Sequence, residues 1–445
     1  MNKNKYNLTE APITGLLIKM TLPMIFGIFG MVAFNMVDTY YVSKLGLLQI
    51  AAMTLTFPVV MIVGSLAQGI GIGAAALISK AVGKNQHHKI VRYTTDSLIL
   101  GILLVLIFII VGMFTIEPLF RLLGADNQTL PYVMDYMKIW YLGVIFVVIP
   151  MIGNSAIRAL GDTKTPALIM AVASIANIIF DPIFIFGFGP IPAMGIKGAA
   201  IATVISRAIT MTVSLYILIY RQKNVSISHV KFKEILHSFK DLLYIGIPNA
   251  LTKIMTPLAI GVITGLIATY GKEATAGFGI ASRVEMFALL VINALSSIFV
   301  PLLGQNIGAG KSNRVLEIIK KSELFSLLYG FIIMIVLMLF GKNIAMIFSD
   351  NPQVISTVKT YLFIIPIGYG LQGLFLIYTS TLNVINKPFH SAILSLIRLF
   401  IIYVPLAIIL SNQFGLVGIW VALNISFVLS VIISKLIVKK MISIS

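Results

Sequence analysis

The chain has 445 residues, 58% of them hydrophobic and only 11% charged, with a formal net charge of +18 and a mean hydropathy of +1.01. That composition lies far outside the soluble globular range and places the chain in lipid. The absence of Cys excludes disulfides, thiolate metal centres and cysteine nucleophiles, and the five His show no metal-ligand spacing.

The opening residues, MNKNKYNLTEAPITG, are polar and lead into an apolar run too long for the h-region of a secretory signal, so no cleavable leader is expected. Stretches long enough to cross a bilayer, about 20 residues each, occupy residues 16–43, 50–79, 93–115, 131–155, 167–189 and 196–220. A second set occupies 242–270, 276–304, 323–341, 355–382, 389–411 and 415–437. Twelve spans put both termini on one side. On this assignment 22 of the 33 Lys and Arg fall on the side of the termini, 7 on the other and four inside spans, which predicts cytoplasmic termini. The positive charge is thereby spread over short inner loops and calls for no nucleic acid partner. Residues 221–240 read as a cytoplasmic linker whose KFKEILHSFKDLL portion, apolar at Phe232, Ile235, Leu236 and Phe239, has the spacing of an amphipathic helix on the inner leaflet. The expected organisation is an N-terminal lobe (1–220), the linker (221–240) and a C-terminal lobe (241–445).

The two sets are copies. Residues 20–46 match 245–271 in spacing, with Pro23 facing Pro248 and Gly46 facing Gly271, an offset of 225 that also relates Tyr136 to Tyr361. AVGKNQ (81–86) echoes GAGKSN (308–313), Pro166 pairs with Pro388, and GIKGAAIATVIS (195–206) pairs with GLVGIWVALNIS (415–426). A duplicated hydrophobic half is the signature of a transporter, in which two halves rock about a shared site.

Ionisable groups within spans are expensive in lipid and mark function. Three carboxylates qualify: Asp38 in span 1, Asp181 in span 5 and Glu285 in span 8. Asp38 stands eight residues before Gly46 and Asp181 eight before Gly189, so the two share a depth, about 12 Å below their span ends at ~1.5 Å per residue, and are expected to face a common cavity. Asn35 precedes Asp38 by three residues and Asn177 precedes Asp181 by four, which predicts a carboxamide beside each acid. Paired carboxylates in low dielectric hold a proton or a cation between them, and an oxygen-rich cage suits Na⁺ as well as H⁺. Glu285 follows Arg283 by two residues and is read as half of a structural ion pair, with either Arg283 or a basic group on another span as its partner. Lys253, Arg207 and Arg398 are the other charges buried in spans, and Lys253, near mid-span, is expected to line the second lobe's cleft.

LPMIFGIFGMVAFNMVDTYYVSKLG in span 1, NSAIRALGDTKTP after span 4, NIIFDPIFIFGFG in span 5, GIKGAAIATVIS in span 6, and GFGIASRVEMF with PLLGQNIGAGK around span 8 occur in order over residues 12–440. Together they resemble the multidrug and toxic compound extrusion (MATE) family, in its DinF-type prokaryotic branch. The resemblance implies an all-α membrane protein with twelve transmembrane helices in two pseudo-symmetric six-helix lobes around a central cleft, exporting organic cations in exchange for inward H⁺ or Na⁺. It implies a cation-coupling site in the first lobe at Asp38, Asn177, Asp181 and Thr203, the same four residues being those that would hold Na⁺. Phe34 takes the place of an aromatic found four residues before the first aspartate, and where family members have Tyr there its hydroxyl is missing. Phe34, Asn35, Asn154, Lys253 and Glu285 are expected along the substrate cleft. The sodium-type branch carries acids in spans 7 and 10, where this chain has none, which argues against a second-lobe cation site. The expected partners are small organic cations and membrane lipid, with no cofactor beyond the coupling ion and no nucleic acid. The chain is expected to work as a monomer in a bacterial inner membrane. A lipid-linked oligosaccharide flippase is the alternative, kept open by Lys253, Arg207 and Arg398. An intramembrane enzyme is disfavoured because DDxxD, HExxH and GxSxG are all missing.

Overall fold

The computed structural model describes residues 7–226 and 232–442. In chain order the helices are α1 (Ile13–Ser43), α2 (Leu47–Gly83), α3 (His87–Leu122), α4 (Leu130–Gly143), α5 (Ile145–Ala159), α6 (Lys164–Phe186), α7 (Ile196–Tyr216), α8 (Phe232–Ala268), α9 (Lys272–Ala288), α10 (Leu290–Gly308), α11 (Ser312–Phe348), α12 (Pro352–Ile364), α13 (Tyr369–Val384), α14 (Pro388–Leu396), α15 (Val404–Phe414) and α16 (Leu416–Ile442). A π-helical turn, Ile217–Arg221, extends α7; a second, Ile397–Tyr403, joins α14 to α15; a 3₁₀ turn, Ile365–Gly368, joins α12 to α13. Among the described residues eleven helical stretches are long and apolar enough to cross a membrane, and α4 with α5, bent by 45°, makes a twelfth if the pair is counted as one span. In lipid a backbone must satisfy its own hydrogen bonds, which is why a chain of this composition folds as helices throughout. The stretch expected as span 8 is interrupted at Leu289, between α9 and α10.

The duplication extends to local chemistry. Gly46 and Gly271, 225 residues apart, both precede a helix with left-handed φ, +133° and +105°, a conformation that disfavours any side chain. Asp126 accepts from the amides of Gln128 (3.1 Å) and Thr129 (2.8 Å) ahead of α4. Its counterpart Asn351 accepts from Gln353 (2.9 Å) and Val354 (3.4 Å) to cap α12. On α3 Arg92 pairs with Asp96 at 2.7 Å, and on α11 Glu317 pairs with Lys321 at 2.7 Å, the same positions with the charges reversed.

Two compact units divide the chain, and their borders do not follow the duplication. The first contains Leu22–Ala250; the second contains Thr9–Thr21 and everything from Leu251 onward. α1 and α8, the opening helices of the two copies, are therefore each shared, and each border lies within two residues of a proline, Pro23 or Pro248. The opening turns of α8 are held inside the first unit by close backbone packing. A Cβ on Gly69 of α2 would lie 2.4 Å from the carbonyl oxygen of Gly246, and one on Gly73 2.8 Å from that of Leu242. From α3, Tyr93 Oη donates to Asp241 Oδ2 at 2.9 Å. The helix expected to lie separately on the membrane surface is thus continuous with the seventh span; Phe232 and Leu236 keep their apolar side chains exposed while Ser238 is buried. Residues 227–231 of the expected linker lie outside the described residues. In the second unit, Lys311 Nζ donates to the carbonyl of Thr9 at 3.0 Å and Arg314 Nη2 to that of Ala11 at 2.8 Å, tying the start of α1 to the turn before α11.

Candidate functional site: a paired carboxylate in the first unit

Small residues bring α1 against α6. A Cβ on Gly27 would meet Ala167 Cα at 2.9 Å, and one on Gly30 would meet Ser174 Oγ at 3.3 Å. These contacts set the two helices in parallel register at close range, and further along the same seam Asp38 and Asp181 stand within electrostatic range of each other. Both are buried, at 5% and 0% exposure. Asn177, one turn before Asp181 and fully buried, donates from Nδ2 to Asp181 Oδ1 at 3.0 Å. That leaves Asp38 Oδ1, Asp181 Oδ2 and Asn177 Oδ1 buried without hydrogen-bond partners among the described residues. Three acceptor oxygens so placed fit a hard monovalent cation or a shared proton, since buried acceptors are otherwise paired.

α7 joins the same group. Gly198 packs so tightly on α6 that a Cβ would sit 2.2 Å from the carbonyl oxygen of Phe184, and the amides of Met194 and Gly195 donate to Phe184 and Ile185. Two turns further, Arg207 lays its guanidinium 5.1 Å from the centroid of Phe34, one turn before Asp38. Arg207 and the buried Tyr136 of α4 are both within electrostatic range of Asp38. Thr203 is buried on α7, but its Oγ1 bonds to none of the three oxygen donors.

Not every expected member belongs. Asn35 is exposed: at about 100° per residue it stands roughly 60° to one side of Asp38, at the rim of the buried face, while the buried Phe34 stands to the other side. Asn154 is buried on α5 with an unpartnered Oδ1, without a bond to the carboxylate pair. Glu285 and Lys253 lie in the second unit. The ion pair expected between Arg283 and Glu285 does not form: residues two apart point to different sides of a helix, Arg283 is exposed, and Glu285 instead accepts a short hydrogen bond from Tyr361 Oη. Lys253 is exposed on α8. Arg207 and Tyr136 are the members that sequence reasoning did not place; the 225-residue offset from Tyr136 to Tyr361 was the available signal, since Tyr136 lies within electrostatic range of Asp38 and Asp181 and Tyr361 donates to Glu285, each tyrosine answering to an acid in its own lobe.

Comparison with known proteins agrees with this architecture. The MatE family profile matches residues 23–183 and 248–409, once per copy. A FAD transporter of Shewanella oneidensis is 36% identical over 424 residues, covering 95% of this chain and 94% of the relative. Multidrug export protein MepA of Staphylococcus aureus is 28% identical over 438 residues, with 97% and 95% covered. Among solved structures, the bent form of the Vibrio cholerae MATE transporter VcmN superposes with a TM-score of 0.91 at 26% identity, covering 97% of each chain. An outward-facing multidrug resistance transporter superposes with a TM-score of 0.93 at 25% identity, covering 100% of this chain and 99% of that one. These relatives are transporters, not enzymes, and do not favour the flippase alternative. With both copies matched and the twelve-span fold shared along its whole length, the chain belongs to the MATE family of membrane transporters.

Proposed function

We propose that this protein is a secondary exporter of small organic molecules driven by inward H⁺ or Na⁺, with the coupling ion taken up at Asp38, Asp181 and Asn177. The observation that carries the reading is the pair of buried, electrostatically interacting carboxyls, which with Asn177 leave three oxygens unpartnered among the described residues. Two carboxylates so close in low dielectric cannot both stay ionised without a cation or proton between them. Arg207 neutralises part of the charge on one side, so the site calls for a single monovalent cation. Thr203 is a candidate fourth donor after a rotamer change. Ion uptake discharges the pair, lets α1 repack near Pro23, and weakens attraction for a cationic drug, which is the order of events antiport needs. Organic cations are the first substrate class for this reading, and the bacterial inner membrane with both termini cytoplasmic is its setting. A second reading, favoured by the 36% identity to a FAD transporter, makes the cargo an anionic dinucleotide.

The test is efflux of a fluorescent organic cation, and separately of FAD, from proteoliposomes under imposed Na⁺ and pH gradients. Gradient-driven export of either is expected for the parent, and its loss in well-folded Asp38→Asn and Asp181→Asn. Undiminished export by either variant refutes the coupling site, while the cargo that moves decides between the two substrate readings.

A further inference from the structure

The charges deep within the spans divide unequally. The first unit holds Asp38 and Asp181 against Arg207; the second holds Lys253, Arg283 and Arg398 against Glu285 alone. Of the three second-unit bases, Arg398 has the most specific setting. It sits in the π-helical turn Ile397–Tyr403, within the span that runs from Pro388 to Phe414. π-Turns inside helices concentrate at functional positions. Its guanidinium carbon lies 4.9 Å from the ring centroid of Phe375 and 4.8 Å from that of Phe427. Both rings are buried, at 3% and 4% exposure. A guanidinium flanked by two buried rings is held in place by them and keeps its N–H edge for hydrogen bonding. That edge is not used up: Nε is buried with no hydrogen-bond partner, and among the described residues no carboxylate lies within ion-pairing distance of Arg398. Glu285 is committed to Tyr361, with the hydroxyl of Tyr403 within electrostatic range of both Glu285 and Arg398.

An uncompensated charge in a membrane span is costly and marks a functional position. Aromatic stacking offsets only part of that cost. It also holds the fork rigid, the arrangement that suits bidentate recognition of phosphate or carboxylate. The duplication shows that the fold does not require a base here. With Pro166 aligned to Pro388, the first-copy counterpart of Arg398 is Ala176.

We propose that Arg398 is the anchor for an oxyanion on the cargo, so that the second unit selects organic molecules carrying a phosphate or carboxylate while the first unit handles the coupling cation. The inference rests on the exporter reading and narrows its substrate class; Lys253, exposed near mid-span in the same unit, is available to a second negative charge.

Flavins separate charge from ring chemistry, because FAD, flavin mononucleotide and riboflavin share one ring system and only the first two carry phosphate. The experiment measures their binding to the purified full-length protein by fluorescence anisotropy, alongside thermal melting. The parent is expected to bind the two phosphorylated flavins at least tenfold more tightly than riboflavin, and Arg398→Met to abolish that preference without changing riboflavin binding. Arg398→Lys, which keeps the charge and loses the fork, is expected to fall between them; it also keeps the question decidable if Arg398→Met does not fold. The proposal is overturned if the parent shows no phosphate-dependent binding, or if a folded Arg398→Met or Arg398→Lys variant keeps the parent's full preference. Failure of gradient-driven efflux sinks the exporter reading and leaves this binding comparison intact.

Discussion

Gly69→Ala tests whether the seam between α2 and the opening turns of α8 is a moving part. The added methyl would stand 2.4 Å from the carbonyl oxygen of Gly246, 2.9 Å from Ala250 Cβ and 3.0 Å from Ala250 N. Two of those three atoms are backbone, so no rotamer change relieves the clash; α2 and α8 must separate by about 1 Å. Overpacking of this kind costs about 1–3 kcal/mol. If the transport cycle includes a state in which the seam is open, the penalty falls on the closed state alone and shifts the ratio of the two by roughly 5- to 150-fold. The absence of native Cys makes the readout direct. A single Ser238→Cys, at a buried position on α8, is labelled in inside-out vesicles with an impermeant thiol reagent, with and without Gly69→Ala. Labelling is expected to accelerate within that range and export to slow. Gly64→Ala, on the same helix with nothing within 4 Å of its Cβ, is expected to change neither. Parent-like labelling and export by Gly69→Ala would refute the reasoning.

Other perturbations have equally definite outcomes. Asn177→Ala removes the buried donor to Asp181; a loss of about 1–3 kcal/mol in ion affinity is expected, read as a roughly 5- to 150-fold rise in the ion concentration for half-maximal export, and an unchanged ion dependence would exclude Asn177 from the site. Tyr361→Phe takes the hydroxyl from Glu285 and is expected to lower the melting temperature more than Glu285→Gln does, with H⁺ or Na⁺ dependence retained in both; loss of that dependence in Glu285→Gln would move coupling into the second unit. In the loop before α4, hydrogen bonds from the Thr129 backbone and hydroxyl and the Gln128 amide hold the Asp126 carboxyl below its ordinary value of 3.8. A lowered carboxyl stabilises the fold above its unfolded-state value and ceases to do so as pH falls through the folded one. Asp126→Ala is therefore expected to melt below the parent at neutral pH and to converge with it in acid, and a gap that persists in acid would contradict the assignment.

Much of this molecule is legible in its sequence because lipid leaves few choices. Apolar runs about 20 residues long give the spans, and the matched prolines and glycines give the duplication. Asp38 and Asp181 could be paired from depth alone, since both count eight residues back from a terminal glycine. Rotation about a helix axis is harder to read. Asn35 and Asn177 look equivalent in spacing, yet the difference between three residues and four leaves one exposed and the other fully buried. Arg207 comes within electrostatic range of Asp38 on a helix, α7, that Gly198 packs closely onto α6, a tertiary contact that no periodicity reveals. The division of α1 and α8 between units was equally hidden, because the apolar pattern of each helix is continuous across the border.

That division has a consequence for how the protein is made. Synthesis proceeds from the N-terminus, so the residues up to Thr21 leave the ribosome long before the turn at Lys311 that will hold them exists. The first unit likewise stays incomplete until Ala250 has been translated, which already lies inside the C-terminal lobe that begins at residue 241. Neither copy is a freestanding folding module. Cutting the gene at the repeat boundary would strand one half-helix on each fragment, and only fragments present together, each lending its leader to the other, would restore the native arrangement.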